Sequence, residues 1–181
     1  KDKILNLVAI QGTSNVLASM NDNSKIIFAS THVIYEGIKS LKKNILEEET
    51  PRPILAYASS KYENEKQIKN SGKNYVILRL GSVYGYSTDT ARIDIMPNLF
   101  SKISSQNGIL KLFSGGKQIK SLVPLIDVAR CFKFMEERED LFSETYNLTK
   151  DTLSVKKVAE ICKKYNPKIT LRETNDEIPN L

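Results

Sequence analysis

A tyrosine and a lysine one helical turn apart can work as a proton-transfer device, and the segment Tyr57-Ala-Ser-Ser-Lys61 offers such a pair. Side chains at i and i+4 share a helix face, which brings the ammonium within range of the phenol. A free phenol titrates near pH 10 and is a poor base at neutrality; a neighbouring cation favours the phenolate and lowers that value. The spacing alone is weak evidence, because it recurs at Tyr35/Lys39, Tyr62/Lys66 and Tyr146/Lys150. Those pairs read as half-exposed tyrosines beside solvated lysines. Only Tyr57/Lys61 opens a helix that follows a strand running into two hydroxyl residues, Ser30 and Thr31. A Thr31 hydroxyl at that strand end could bond the same substrate oxygen as the phenol, so the three groups together would serve a carbinol or carbonyl carbon.

The elements that must hold these groups alternate along the chain. Apolar spacing predicts helices over Ile4–Met20, Leu55–Ser71, Ile95–Ser105, Leu125–Glu137 and Ser154–Tyr165. In the first, Leu5, Val8, Gly12, Val16 and Leu17 recur at helical period. Short apolar runs predict strands at Lys25–Ala29, Tyr75–Leu80, Thr145–Leu148 and Ile169–Leu171. Leu110–Phe113 and Ile119–Val123 flank Gly115-Gly116 and read as a pair of short strands. Wholly apolar strands between helices imply an α/β fold with a doubly wound, Rossmann-like parallel sheet and right-handed crossovers. Such sheets bind ligands at the carboxyl ends of their strands, here just beyond Ala29 and Leu80.

Bulk properties exclude several other classes. The 181 residues suffice for one domain or a large piece of one, and no apolar run approaches the roughly 18 residues that cross a bilayer. No signal-peptide pattern follows Lys1-Asp2-Lys3, so a cytoplasmic location and no membrane partner are expected. Two widely separated cysteines and a single histidine indicate neither a zinc site nor a disulfide framework. The formal charge of +6 comes from scattered lysines, densest at Lys39–Lys43, Lys156/Lys157 and Lys163/Lys164, without interleaved aromatics. Nucleic-acid binding is therefore not expected; a phosphorylated ligand accounts for a mild positive bias. The first residue is Lys, which suggests a trimmed or partial sequence.

Several motifs in order give the chain a resemblance. Strand, Ser30-Thr31-His32-Val33-Ile34-Tyr35 and then Tyr57-x-x-x-Lys61 resemble the extended short-chain dehydrogenase/reductases of the NAD-dependent nucleotide-sugar epimerase and dehydratase type. Gly12-Thr-Ser-Asn-Val-Leu17, Arg79-Leu-Gly-Ser-Val-Tyr-Gly85, Leu122-Val-Pro-Leu-Ile-Asp-Val-Ala129 and Tyr146-Asn-Leu148 before a Ser-Val-x-x-Val-Ala-Glu helix are similar to further family segments. The resemblance implies that Tyr57 is the acid/base and that Lys61 holds the nicotinamide ribose. Thr31 would share the substrate hydroxyl. Ser30, Leu80 and Gly81 would lie by the cofactor, which is NAD, with NADP left open. His32, Val33, Ser82, Asp94, Lys120 and Arg172 would face a sugar or nucleotide-sugar substrate. It further implies that residues 1–93 form the C-terminal half of a cofactor-binding domain. Residues 94–181 would be mostly a small α/β substrate-binding part, interleaved with the last Rossmann elements. A homodimer through the helices around 4–20 and 55–71 is implied as well.

Departures from the family pattern narrow the chemistry. The family's dehydratases carry Asp-Glu after the Ser/Thr, where this chain has His32-Val33; valine transfers no proton, which disfavours dehydration and leaves epimerisation or keto-sugar reduction. The histidine also has a purely structural reading. Asp94 stands where the family offers asparagine to a nucleotide diphosphate, and a carboxylate there would repel phosphate. Ser82, Pro124 and Ala9 also replace residues usual in the family. The eight glycines form no Gly-x-x-Gly-x-x-Gly turn, and the segment that selects NAD or NADP is absent. The chain is thus expected to start near the family's fourth helix and to stop before its last helices, leaving an open sheet edge and exposed apolar surface. A non-catalytic relative, serving as a binding or assembly module, is the alternative from another class.

Overall fold

In the computed structural model, described for all residues except 1, 40, 41, 43, 89–91 and 177–181 and for backbone only at 2 and 3, the chain forms two compact units. The first comprises residues 1–81 and 128–148, the second 82–127 and 149–181. The chain thus leaves the first unit after Gly81, returns at Val128 and leaves again after Leu148. Lys43, part of the lysine cluster noted in the sequence, lies outside the described residues.

Three parallel strands organise the first unit. β1 (Lys25–Thr31) pairs with β2 (Asn74–Leu80), and β2 with β6 (Glu144–Leu148), in the order β1-β2-β6. The central strand is the buried one: Val76, Ile77 and Leu78 are fully enclosed, as an apolar run covered on both faces requires. β1 has one neighbour among the described strands and is only half-buried until Ser30 and Thr31. The parallel register sets Thr31 beside Leu80 and Ser30 beside Arg79, so both strands run out together. α4 (Leu125–Glu137) packs Cys131, Phe132 and Met135 on Val76 and Leu78. Lys25 Nζ caps that helix by donating to the carbonyls of Met135 and Arg138, both at 2.5 Å.

Two helices flank β1. α1 (Asp2–Ser19) packs along α2 (Ala56–Lys69), joined by Asn64 Nδ2 to the Ala9 carbonyl at 3.1 Å and Gln67 Nε2 to Ser14 Oγ at 2.9 Å. The start of α2 lies beyond Pro51 and Pro53, its last turn carries Lys66 and Lys69 toward the negative end of the dipole, and Gly72 at φ +73° closes the turn beyond it. Between β1 and α2 a short 3₁₀ turn (His32–Tyr35) leads into a loop that Gly37 brings against Arg52. A Cβ at Gly37 would lie 2.2 Å from the Arg52 carbonyl oxygen, so only glycine fits.

The second unit has its own core of Phe100, Leu110, Leu112, Leu122, Val155, Val158, Ala159 and Ile169. α3 (Met96–Ser105) and α5 (Val155–Tyr165) pack on one another, the latter capped by Ser154 Oγ accepting from the Lys157 amide at 3.1 Å. β4 (Ile109–Phe113) pairs in parallel with β8 (Thr170–Thr174). β5 (Ile119–Pro124) sits between β3 (Ser82–Tyr84), parallel, and β7 (Asp151–Ser154), antiparallel. The two runs flanking Gly115-Gly116 are strands, yet they do not pair with each other. Ser114, Gly115 and Gly116 all have positive φ and turn through a 3₁₀ segment, which sends β5 into a different sheet from β4. β3 and β7, three and four residues long, had no periodic signal in the sequence.

Candidate active site

Tyr57 and Lys61 stand in the first two turns of α2 and line one cavity of about 410 Å³, together with Leu5, Ala9 and Val16 of α1 and Ile26 and Phe28 of β1. The Tyr57 side chain is half exposed, at 46%. Lys61 Nζ donates to the Ala29 carbonyl at 2.8 Å and lies 4.6 Å from the centre of the Phe28 ring. Burial against that ring pushes the Lys61 ammonium below its ordinary value.

Thr31 is buried at the end of β1, and its Oγ1 accepts from the Val33 amide at 3.3 Å as the N-cap of the 3₁₀ turn. It is not among the residues that line the Tyr57/Lys61 cavity. Ser30, expected beside the cofactor, is buried and donates Oγ to Glu65 Oε1 at 2.5 Å. Leu80 is half-buried against the β2–α4 cluster, and the Gly81 amide donates to the Leu148 carbonyl at 2.9 Å. His32 Nδ1 lies 2.9 Å from the Leu80 carbonyl oxygen, a contact in which the ring nitrogen donates. Val33 packs with Ile34, Tyr35 and Ala58.

In the second unit, Ser82 opens β3 opposite Leu122. The exposed Asp94 carboxylate pairs with Arg92, Nη2 to Oδ2 at 2.8 Å, and that hydrogen bond holds it below the usual carboxylate range. Lys120 lies exposed on β5 and Arg172 exposed on β8, in separate sheets of this unit. Among the described residues no group of three His, Cys, Asp or Glu side chains could hold a metal ion, and no helix is long and apolar enough to cross a membrane.

Reading the sequence missed a polar network beneath these groups. Glu65, fully buried, pairs with Arg79 at 2.8 Å (Nη2 to Oε2), and Arg79 Nη1 donates to the Tyr35 hydroxyl at 2.5 Å. Burial raises the Tyr35 phenol above its ordinary value despite the opposing Arg79 charge. Tyr35 donates in turn to Asn147 Oδ1 at 3.3 Å, and the Asn147 amide donates to the Glu47 carboxylate at 2.7 Å. One signal was available: Glu65 continues the i, i+4 series of Tyr57 and Lys61, and Arg79 is a charge inside an apolar strand run, where an unpaired cation would be costly.

A family model described as "NAD dependent epimerase/dehydratase family" matches residues 3–149. The fold is similar to UDP-glucose 4-epimerase of Thermotoga maritima, solved with UDP-glucose. The TM-score is 0.83 and the identity 20%, over 99% of this chain and 60% of that one. It is also similar to UDP-glucuronic acid 4-epimerase of Bacillus cereus, solved with UDP-glucuronic acid and NAD: TM-score 0.79, 22% identity, 96% of this chain and 56% of that one. For UDP-N-acetylglucosamine 4-epimerase of Methanobrevibacter ruminantium, in complex with UDP-N-acetylmuramic acid, the values are 0.81, 18%, 96% and 57%. The chain therefore spans at most 60% of the length of these three enzymes. No curated protein matches it. The matched segment contains the strand ends, the Tyr57/Lys61 helix turn and the buried network beneath them, and on that match the chain belongs to the NAD dependent epimerase/dehydratase family.

Proposed function

We propose that this chain supplies the proton-transfer and substrate-side portion of an NAD-dependent enzyme that epimerises a nucleotide-linked sugar, with single-pass reduction of a keto-sugar as the variant reading. The observation that carries the proposal is the placement of Tyr57 and a partly buried Lys61 on one cavity along β1, where Ile26 and Phe28 line it and Lys61 donates to the Ala29 carbonyl. In this reading Tyr57 takes the proton from a ring hydroxyl and later returns it. Lys61 stabilises the phenolate and holds the ribose, and Thr31 hydrogen-bonds the reacting oxygen. The dinucleotide, when bound, supplies the hydride acceptor and donor.

The residues fit one end of such a cofactor. Tyr57 and Lys61 offer polar groups within an otherwise largely apolar cavity, which suits a nicotinamide and its ribose. No glycine-rich turn occurs in the sequence to cradle the pyrophosphate. Epimerisation is favoured over dehydration because Val33, which packs into an apolar cluster, has no proton to transfer at the position where the dehydratases carry a carboxylate. The exposed cations Lys120 and Arg172 are proposed for the diphosphate side of the substrate. A cytoplasmic homodimer through α1 and α2 belongs to the same reading.

The test is turnover by the whole protein of UDP-glucose, UDP-glucuronic acid and UDP-N-acetylglucosamine with NAD, followed by NMR of the sugar ring. Inversion at one carbon without net NADH supports the epimerase, and stoichiometric NADH consumption with a keto-sugar supports the reductase. No turnover, together with no NAD binding, would leave a binding or assembly module.

A further inference from the structure

The Glu65–Arg79 pair touches every element that carries a candidate reacting group. Glu65 lies at i+4 from Lys61 and i+8 from Tyr57, so the three share one face of α2. Its carboxylate accepts from Ser30 Oγ at 2.5 Å and from Arg79 Nε and Nη2 at 3.1 and 2.8 Å. Ser30 and Arg79 are register partners across β1 and β2, so one carboxylate ties the helix to both strand ends at once. The far side of the guanidinium donates to the Tyr35 hydroxyl and, at 2.8 Å, to the Glu47 carbonyl. Ser30 immediately precedes Thr31, and Tyr35 ends the 3₁₀ turn that Thr31 caps. Thr31 is thus bracketed on both sides by groups bonded to the pair.

Stability alone does not explain this arrangement. A buried ion pair gains little over well-packed apolar side chains, because two desolvated charges cost about as much as their attraction returns. What the pair adds is direction. Apolar packing tolerates a helix sliding or rotating by a fraction of a turn, whereas a guanidinium fork on a carboxylate has fixed bond directions in the plane of both groups. Proton transfer between groups on different elements depends on that kind of restraint, since small displacements cost large factors in rate.

We propose that Glu65 and Arg79 are positioning residues whose buried ion pair holds the α2 face bearing Tyr57 and Lys61 in register with the strand end bearing Thr31, an inference that rests on the functional reading above. The test, in the whole protein, replaces the pair by Glu65→Leu/Arg79→Met, which keeps the core filled and leaves no lone charge. The expected result is a cooperative thermal transition with KM values within about threefold of wild type and kcat lowered about thirtyfold. Thr31→Ala should then cost at least about tenfold in the wild-type background and less than about threefold in the double variant. An equal cost in both backgrounds, or an unchanged kcat in the folded variant, overturns the proposal.

Should the double variant fail to fold, Arg79→Lys keeps the charge and loses the fork. The expected kcat loss is about tenfold at unchanged KM. One further readout needs no substrate. The Val33 amide, bonded to Thr31 Oγ1, should exchange about tenfold faster in Arg79→Lys while the Val76 and Leu78 amides keep their wild-type protection. Unchanged Val33 exchange overturns the positioning role. A wild-type protein that binds NAD and turns over no nucleotide sugar would instead refute the functional reading, and amide exchange would still decide this one.

Discussion

The ammonium of Lys61 donates to the carbonyl oxygen of Ala29 at 2.8 Å, so the lysine of the proposed reaction is tied to the strand that ends at Thr31. This contact crosses from α2 to β1 and sits over the Phe28 ring. It holds the helix face toward the strand end, while burial opposes the lysine's charge.

The pH dependence of stability follows from that opposition. Lys61 has a folded pKa below its unfolded value, so between the two the unfolded chain binds the extra proton. Lys61 therefore lowers stability at neutral pH, and the penalty shrinks as pH rises through the folded value toward the ordinary lysine range near 10.4. Chemical denaturation of wild type from pH 7 to 10, compared with Lys61→Met, should show a rising wild-type curve relative to the variant. Parallel curves would mean that Lys61 is as well solvated folded as unfolded.

Replacing Tyr57 by phenylalanine should separate chemistry from folding. The ring is half exposed at 46%, so loss of its hydroxyl should change stability by no more than about 0.5 kcal/mol. Loss of a positioned general acid/base should lower kcat by about 10²- to 10⁴-fold. Steady-state kinetics and a thermal melt on the same preparation check both halves. A variant that keeps most of its turnover would remove Tyr57 from the reaction.

The 181-residue chain alone should bind NAD weakly, with calorimetry showing no heat attributable to micromolar affinity. In the proposed reading it supplies the Tyr57/Lys61 end of a dinucleotide site, and its sequence has no glycine-rich turn for the pyrophosphate, where helix N-terminus and backbone amides ordinarily provide the anion-binding groups. Micromolar binding would show that other groups of this chain hold the phosphates.

Most of this architecture was legible because strand and helix periods are local. The runs at Lys25–Ala29 and Tyr75–Leu80 are apolar over their whole length, and the strands form there, extended to Thr31 and back to Asn74. Less legible was anything decided by long-range pairing. Leu110–Phe113 and Ile119–Val123 look like hairpin partners because they are neighbours in sequence, yet each finds its strand partner elsewhere, β4 with β8 and β5 with β3 and β7. The site divides in the same way. Tyr57 and Lys61 are related by helix geometry alone, whereas the commitment of Ser30 to Glu65 needed α2 to pack against β1, which no local pattern encodes.

Asp94 tests the substrate side. Its carboxylate is exposed and paired with Arg92, so the negative charge that would face a nucleotide diphosphate is partly compensated in place. Asp94→Asn removes the negative charge. The KM for a UDP-sugar should fall about threefold at low salt and by less at 0.5 M salt, as screening predicts. An unchanged KM at both ionic strengths would place Asp94 away from the phosphates.

The last prediction concerns α1, whose apolar residues serve three directions. Ala9, Ile10 and Ser14 meet α2 through hydrogen bonds to Asn64 and Gln67, while Leu5, Ala9, Gly12 and Val16 line the cavity beside β1. Ile4, Leu7 and Val8 form a third stripe, roughly 120° from the cavity-lining one at 100° per residue, and are 68%, 67% and 66% exposed. A contiguous exposed apolar stripe is the kind of surface that a second copy can cover. If α1 is part of a homodimer interface, sedimentation equilibrium at about 20 μM should return twice the chain mass for wild type and the single-chain mass for Leu7→Glu/Val8→Glu, with the helical circular dichroism of both unchanged. The two glutamates would put charge into an apolar contact that a two-fold axis repeats in both copies. A wild-type monomer at that concentration would eliminate this stripe as a dimer contact, and a variant that still dimerises would move the interface to another face of the molecule.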